Sequence, residues 1–232
     1  MYEGEYRDNE QKKEGKGIMI YNNVDIYNGN WKNDKRNGKG KLILNENIKY
    51  NGNWDNDNLN YGEIIYPNGD KYKGNIFNCK RNGKGELILN ENIKYNGDWE
   101  NDNLNYGEII YPNGDKYKGN IFNYKRNELC EMEYKNGNKY NGDWKNDKKE
   151  GKRIMNYFNN EKYDGNWLND KREGKGKLIN SKEIYNGEWK NDMKNGKGII
   201  KYINNNKKLK CEFINNKREG KGIIKFKNNN DN

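Results

Sequence analysis

The sequence contains no His, Ala or Thr, and only one Ser, one Val and two Pro among its 232 residues. Without His, the chain lacks both the side chain whose ordinary pKa is closest to neutrality and the commonest metal ligand. With one Ser and no Thr, it has almost no hydroxyl group that could act as a nucleophile. We therefore predict a protein that is not an enzyme, with no catalytic residues, no metal site and no cofactor.

The three cysteines are Cys79, Cys130 and Cys211, an odd number at wide spacings. They form no C-x-x-C pair, so the sequence indicates neither a zinc site nor a disulfide framework. This usage favours a reduced, intracellular compartment. The sequence also has no 18-residue apolar run, and its first residues lack the apolar core of a signal peptide. We expect a cytoplasmic protein.

The residues that are abundant point to an ordered chain. Charged residues make up 34% of the chain, and there are fifty Asn, a composition that could indicate disorder. Disordered chains, however, are poor in aromatic residues, whereas this one has nineteen Tyr and six Trp. The aromatic content therefore favours a folded protein.

A Y-x-G-x-W pattern recurs along the chain at steps of 22 to 25 residues. A G-x-G motif follows most copies after seven residues, as at Gly38/Gly40 and Gly174/Gly176. A period of this length is typical of repeat architectures. The copies begin near residues 2, 27, 50, 72, 95, 117, 140, 163, 185 and 209.

Each copy is predicted to form a β-hairpin. Large residues alternate with small or polar ones at the period of a strand, and no segment has the spacing of an amphipathic helix. A six-residue polar loop, such as KNDKRN at 32–37, is expected between the two strands. The glycines are expected to allow positive φ and close approach of backbone beneath large rings. The predicted fold is all-β, an elongated single-layer ribbon of antiparallel hairpins with a core of stacked aromatic rings.

These residues resemble the MORN repeat family, whose pattern is Y-x-G-x-W-x-x-G-x-x-x-G-x-G. About ten tandem repeats would fill residues 1–226, followed by a disordered tail at 227–232. The sixth copy departs from the pattern because Glu128 and Cys130 replace its two glycines, and the tenth has Leu209 and Cys211 in place of Tyr and Gly. Choline-binding repeats, a rival family, carry paired aromatics such as W-Y-Y, which this chain lacks.

The resemblance implies a scaffold or adaptor that binds protein partners along an aromatic groove. The alternative is a regulatory subunit or targeting module for a separate enzyme, such as a lipid kinase. The same rings also have a purely structural interpretation, as the core that holds the hairpins together. The predicted stripe consists of Tyr27, Trp31, Tyr50, Trp54, Tyr72, Tyr95, Trp99, Tyr117, Tyr140, Trp144, Tyr163, Trp167, Tyr185 and Trp189.

Charge is unevenly distributed along the chain. Residues 1–124 carry a net charge of −1 and residues 125–232 a net charge of +11. The basic residues within the polar loops of the C-terminal half are predicted to line one edge of the ribbon and to bind an anionic membrane or a cytoskeletal surface. The alternative interpretation is that these basic residues form a solubilising edge that prevents sheet-to-sheet aggregation. The predicted residues are Lys148, Lys149, Lys171, Arg172, Lys194, Lys217 and Arg218.

The resemblance further implies phosphoinositide association, a location peripheral to a membrane or the cytoskeleton, and a homodimer through terminal repeats. Nucleic acid is disfavoured, because single-stranded binding needs exposed stacking rings and these rings belong to strands. Nucleotide binding is disfavoured too, because the G-K-G motifs lack the context of a phosphate-binding loop.

Overall fold

A computed structural model describes residues 1–7, 11–205 and 207–225, so the predicted tail at 227–232 lies outside the described residues. The described residues form strands and turns and no helix. The chain divides into two compact units, Met1–Pro112 and Asn113–Asn232.

The described residues of each unit form ten strands. Those of the first unit are β1 (Tyr2–Tyr6), β2 (Lys13–Ile20), β3 (Ile26–Lys32), β4 (Lys35–Ile43), β5 (Lys49–Asp55), β6 (Asn58–Ile65), β7 (Lys71–Phe77), β8 (Lys80–Ile88), β9 (Lys94–Glu100) and β10 (Asn103–Ile110). Those of the second are β11 (Lys116–Phe122), β12 (Lys125–Glu133), β13 (Lys139–Lys145), β14 (Lys148–Asn156), β15 (Lys162–Leu168), β16 (Lys171–Ile179), β17 (Glu183–Lys190), β18 (Met193–Tyr202), β19 (Lys208–Ile214) and β20 (Lys217–Lys225).

Within each unit every strand pairs antiparallel with its neighbours in chain order. Each Y-x-G-x-W segment is the first strand of a hairpin, and the following G-x-G segment is the second. In the second hairpin, for example, Tyr27 lies opposite Leu42 and Gly29 opposite Gly40. The prediction of an all-β fold built from antiparallel hairpins is confirmed.

The loop within each hairpin is shorter than the sequence suggested. β3 ends at Lys32 and β4 begins at Lys35, so only Asn33 and Asp34 form the turn, with φ of 48° and 66°. Two successive positive φ values are the mark of a type I′ turn, which matches the twist of a hairpin. The predicted six-residue loop was therefore wrong, since Lys32 belongs to the strand before the turn and Lys35 and Arg36 belong to the strand after it.

The connection between hairpins is also a defined turn. In the segment from Tyr66 to Asp70, the Gly69 N–H donates to the Tyr66 carbonyl at 3.0 Å, and the Tyr66 N–H donates to the Asp70 carbonyl at 2.9 Å. Gly69 has φ of 92°. This is a three-residue hairpin loop in which a left-handed residue closes the turn.

The two glycines of G-x-G have different tasks, as expected. Gly38 takes φ of 77°, at the bulge where the register between β3 and β4 shifts. Gly40 lies beneath the ring of Tyr27, where an added Cβ would come within 2.1 Å of the Tyr27 hydroxyl oxygen. The bulge and the close approach both require glycine.

The core of each unit is a row of Tyr and Trp rings packed edge to face. Tyr27 contacts Trp31 of its own strand at 5.1 Å between ring centroids and Trp54 of the next hairpin at 5.4 Å, with interplanar angles above 80°. In the second unit, Tyr163 contacts Trp167 at 5.2 Å and Trp189 at 5.4 Å in the same way. The rings are therefore T-shaped pairs rather than the stacked rings expected from the sequence, an arrangement that the aromatic quadrupole favours.

Candidate functional site

The type I′ turns decide which face of the sheet each basic residue occupies. We call the face that carries the Tyr and Trp rings the core face and the opposite one the open face. In β15 and β16, Trp167 lies opposite Arg172, and Leu168 lies opposite Lys171. Since cross-strand partners share a face, Arg172 is on the core face and Lys171 on the open face.

Four core-face arginines each connect their own hairpin to the next one. Arg172 donates from Nε to Asp192 Oδ1 at 3.1 Å and from Nη2 to the Asp192 carbonyl at 2.9 Å. Its guanidinium carbon lies 4.2 Å from the centroid of the Trp189 ring. A planar guanidinium is suited to this combination of forked hydrogen bonding and stacking. The same three-residue contact occurs in Arg36–Asp57–Trp54, Arg81–Asp102–Trp99 and Arg126–Asp147–Trp144.

Lys149 occupies the same position in its own hairpin. Its Nζ lies between 5.3 and 5.7 Å from the centroids of four rings, those of Tyr134, Tyr140, Trp144 and Trp167. Burial lowers the pKa of the Lys149 ammonium, and the nearby Asp170 carboxylate acts in the opposite direction. Lys194, one repeat beyond Arg172, pairs with Glu183 Oε1 at 2.7 Å.

The seven basic residues predicted from the sequence are thus split between two faces. Lys149, Arg172 and Lys194 are half-buried on the core face. Lys148, Lys171 and Lys217 are exposed beside the turns on the open face, and Arg218 is exposed at a core-face position of the last described strand. None of these four exposed residues uses its side chain in a hydrogen bond or ion pair with another described residue. That all seven bind an anionic surface stays a prediction.

The fourteen rings of the predicted aromatic stripe all lie in the core. None is more than 6% exposed. Most of the tyrosines, including Tyr27, donate from the hydroxyl group to a main-chain carbonyl three residues ahead, and burial raises the pKa of Tyr27 to about 12. Partner binding along these rings stays a prediction.

Five of the six tryptophans donate their indole N–H to a main-chain carbonyl of the preceding hairpin at 3.0 to 3.3 Å. The exception is Trp144, whose buried Nε1 has no hydrogen-bond partner among the described residues. Trp144 lies opposite Glu128, which replaces the first glycine of its repeat and holds φ of 57°. The departure from the pattern at Glu128 and Cys130 thus coincides with the one irregular indole contact.

A second feature of the open face was not identified from the sequence. We call the residues that flank the type I′ turns of the second unit, on this face, the open-face turn row. Phe122, Leu168 and Ile214 in this row are 63%, 49% and 54% exposed. Their exposure could have been predicted from the sequence, since each of them directly follows the last residue of a Y-x-G-x-W copy and therefore points to the opposite face of the strand. The row consists of Phe122, Lys125, Lys145, Lys148, Leu168, Lys171, Lys190, Met193, Ile214 and Lys217.

No acidic residue lies opposite a lysine of the open-face turn row. Lys145 faces Lys148 across the hairpin, and Leu168 faces Lys171. The lysines in the G-x-G motifs of β16 and β18 differ, since Lys175 lies opposite Glu188 and Lys197 opposite Glu212.

The corresponding positions of the first unit carry mixed charge. Lys32 lies opposite Lys35 and Phe77 opposite Lys80, but Asp55 and Glu100 stand in two of the four hairpins whose turns follow β3, β5, β7 and β9. The turn-flanking positions of the first unit therefore carry fewer lysines than those of the second unit, and acidic residues stand among them.

Among residues 1–7, 11–205 and 207–225, no group of three or more Cys, Asp or Glu side chains is placed to hold a metal ion. None of the described segments is a helix with the length and apolar character needed to cross a membrane.

Two solved structures with which the chain shares similarity are a TCP domain and a TCP10 domain. One is the TCP domain of SAS-4 from Drosophila melanogaster, with 12% identity over 91% of this chain and 90% of that one and a TM-score of 0.31. The other is the E1021V mutant of the TCP10 domain of Danio rerio CPAP, with 8% identity over 83% and 86% of the two chains and a TM-score of 0.29.

Virginiamycin B lyase from Staphylococcus aureus is also similar, with 12% identity over 97% of this chain and 74% of that one and a TM-score of 0.15. No curated protein sequence matches the chain.

The MORN repeat model matches eight segments of the chain: residues 2–23, 27–45, 50–71, 95–116, 140–152, 163–181, 185–207 and 212–231. The two remaining hairpins begin at Tyr72 and Tyr117 and carry Ile76 and Ile121 where most copies have Trp. The estimate of ten repeats therefore exceeds the eight that the family model detects, although ten hairpins are present among the described residues. MORN repeats are commonly scaffold modules that bind proteins or membranes. The chain belongs to the MORN repeat family.

Proposed function

We propose that this protein is a non-catalytic scaffold whose second unit docks on an anionic membrane surface through the open-face turn row. The observation that carries the proposal is the set of six lysines in this row that have no acidic partner across the strands. Like charges directly opposite each other destabilise a sheet, so a pair such as Lys145 and Lys148 costs stability. An anionic surface would turn that cost into an attraction.

The spacing of the row suits a flat surface. Successive hairpins lie about 10 Å apart, since neighbouring strands are about 4.8 Å apart. Several lysines can therefore contact one leaflet together, each contributing about 1 kcal/mol near an anionic membrane. Phe122, Leu168 and Ile214 would add apolar contact with the acyl boundary, in the manner of interfacial amphipathic segments.

Protein binding is the other part of the scaffold function that we propose. A cavity of about 420 Å³ on the open face of the first unit supports it. It lies across β4 to β7 and includes Lys39, Asn53, Tyr61 and Glu63 in its lining, with Tyr61 51% exposed. An exposed aromatic ring surrounded by amide and charged side chains is typical of residues that contact a partner at a protein interface.

Vesicle co-sedimentation of the full chain tests the membrane proposal. We expect binding to vesicles of phosphatidylcholine with phosphatidylserine and little binding to phosphatidylcholine alone. The Debye length is about 8 Å at physiological ionic strength and falls with added salt, so the bound fraction should fall steeply as salt rises. Equal binding to both vesicles, or binding that salt leaves unchanged, would contradict the proposal.

A further inference from the structure

The last described strand of the second unit, β20, has an edge to which no other described strand pairs. All nine of its residues are exposed. Ile224 is 48% exposed, whereas the residues at its position in β4 and β8, Leu42 and Leu87, are 5% and 2% exposed. Those two are covered because another hairpin follows. Among the described residues, only β19 pairs with β20.

The register of the other hairpins specifies the strand that would fit there. Every G-x-G strand that is followed by a Y-x-G-x-W strand pairs with it in the same register. In β4 and β5, Gly38 lies opposite Trp54 and Leu42 opposite Tyr50. The same rule holds for β16 and β17. A strand beside β20 should therefore place a large aromatic ring opposite Gly220, a glycine opposite Gly222 and a tyrosine opposite Ile224.

The first unit contains such a strand. β1 has the sequence YEGEY, with Tyr2, Gly4 and Tyr6 in the three required positions. Among the described residues β1 pairs only with β2, and Tyr6 is 54% exposed. The pattern of large and small residues in β1 thus matches the pattern that pairing with β20 requires.

Charge favours the pairing of β20 with β1 over the pairing of either strand with itself. In the register above, Glu5 would lie opposite Lys221 on the open face. β20 carries four basic residues and one acidic residue, while β1 carries Glu3 and Glu5 and no basic residue. Two copies of β20 side by side would oppose like charges, and so would two copies of β1, which is how natural sheets prevent edge pairing.

We infer that β20 of one copy binds β1 of a second copy, so that the chain associates head to tail with itself. Tyr2 of the second copy then covers Ile224, and Arg218 stacks on Tyr6 as Arg172 stacks on Trp189. Such a contact is heterologous, because it joins two different surfaces, and it produces open chains or rings rather than a two-fold dimer.

Sedimentation velocity of the full chain without vesicles tests this inference over a concentration series. We expect the mean mass to rise with concentration beyond that of a dimer. The charge reversals Glu5→Lys and Lys221→Glu should each weaken association about tenfold, because each replaces a cross-strand attraction with a repulsion. The double variant Glu5→Lys/Lys221→Glu should restore it.

Lys197→Glu is the matched control, since Lys197 holds the same G-x-G position in β18, within the sheet. It should leave association unchanged. A mass that stays at the monomer, a mass that stops at the dimer, or a double variant as weak as the single ones would overturn the inference. Vesicle binding is a separate measurement, so failure here leaves the proposed membrane docking to be decided on its own result.

Discussion

A single tryptophan joins several stabilising contacts in this fold. Trp167 is 6% exposed and lies edge to face with Tyr140 at 5.6 Å and Tyr163 at 5.2 Å. Its indole N–H donates to the Arg153 carbonyl at 3.3 Å, and the Lys149 ammonium lies 5.3 Å from its ring centroid. Removing the ring would therefore disturb two hairpins, not one.

Trp167→Ala is expected to lower the free energy of unfolding by about 3–5 kcal/mol, the usual cost of truncating a buried aromatic side chain. Lys171→Ala, four residues away on the open face, should change it by less than about 0.5 kcal/mol. Urea denaturation followed by Trp fluorescence or circular dichroism measures both. Equal shifts in the two variants would contradict an aromatic core.

Stability should also fall in alkali. Burial raises the pKa of Tyr27, Tyr50 and Tyr185 to about 12 from an ordinary value of 10.0. The unfolded chain therefore loses these protons first, so their contribution is complete below about pH 10 and declines between about pH 10 and 12. A pH titration that follows phenolate absorbance and circular dichroism together should show ionisation of these tyrosines accompanying unfolding. Ionisation near pH 10 in a chain that stays folded would contradict this expectation.

At the scale of the hairpin, the turn and the core-face arginine of the preceding hairpin contact each other directly. Asp192 in the turn after β17 holds φ of 67°, accepts the main-chain N–H of Arg172 at 2.9 Å and binds its side chain. The same carboxylate thus joins the turn of one hairpin to the second strand of the preceding one. This contact explains why Asp, rather than the usual Gly, is suited to the second turn position.

A double-mutant cycle on Arg172→Ala and Asp192→Ala should give a coupling free energy of about 1 kcal/mol or more, because the two side chains share a part-buried network. The cross-strand pair Lys175 and Glu188 on the open face is the matched control, with coupling below about 0.5 kcal/mol. Chemical denaturation of the single and double variants gives both values. Similar coupling in the two cycles would show that the contact to Asp192 is only a surface ion pair.

The strand period and the glycine spacing allowed the hairpins and the fold class to be predicted from sequence. The turn itself was missed, because Asn-Gly is the strongest signal for a two-residue hairpin and these turns are mostly Asn-Asp. That error hid the two faces of the candidate site, since a shift of one residue moves a side chain to the other face of a strand. Lys148 and Lys149 were therefore expected to act together, although they lie on opposite faces.

At the scale of the whole chain, the basic excess has a definite structural location. Some of the basic residues in the second unit are held on the core face by Trp rings and carboxylates, as Arg126, Lys149 and Arg172 are. The open-face turn row holds lysines that have no such partners in the described part of the chain, next to exposed apolar side chains. Net charge alone would not distinguish these two groups, but their expected roles in binding differ.

The most direct test of membrane docking compares two charge reversals in the full chain. The first changes Lys148, Lys171 and Lys217 to Glu, and the second changes Lys32, Lys35 and Lys80, which flank the turns of the first unit, to Glu. Each lies on the open face, so both variants should keep the circular dichroism spectrum of the parent.

Both variants carry the same change in net charge, so a difference between them reports position. The first variant is predicted to lose co-sedimentation with phosphatidylserine vesicles, and the second to keep most of it. An equal loss in both variants, or full binding by the first, would contradict the assignment of the docking surface to the open-face turn row.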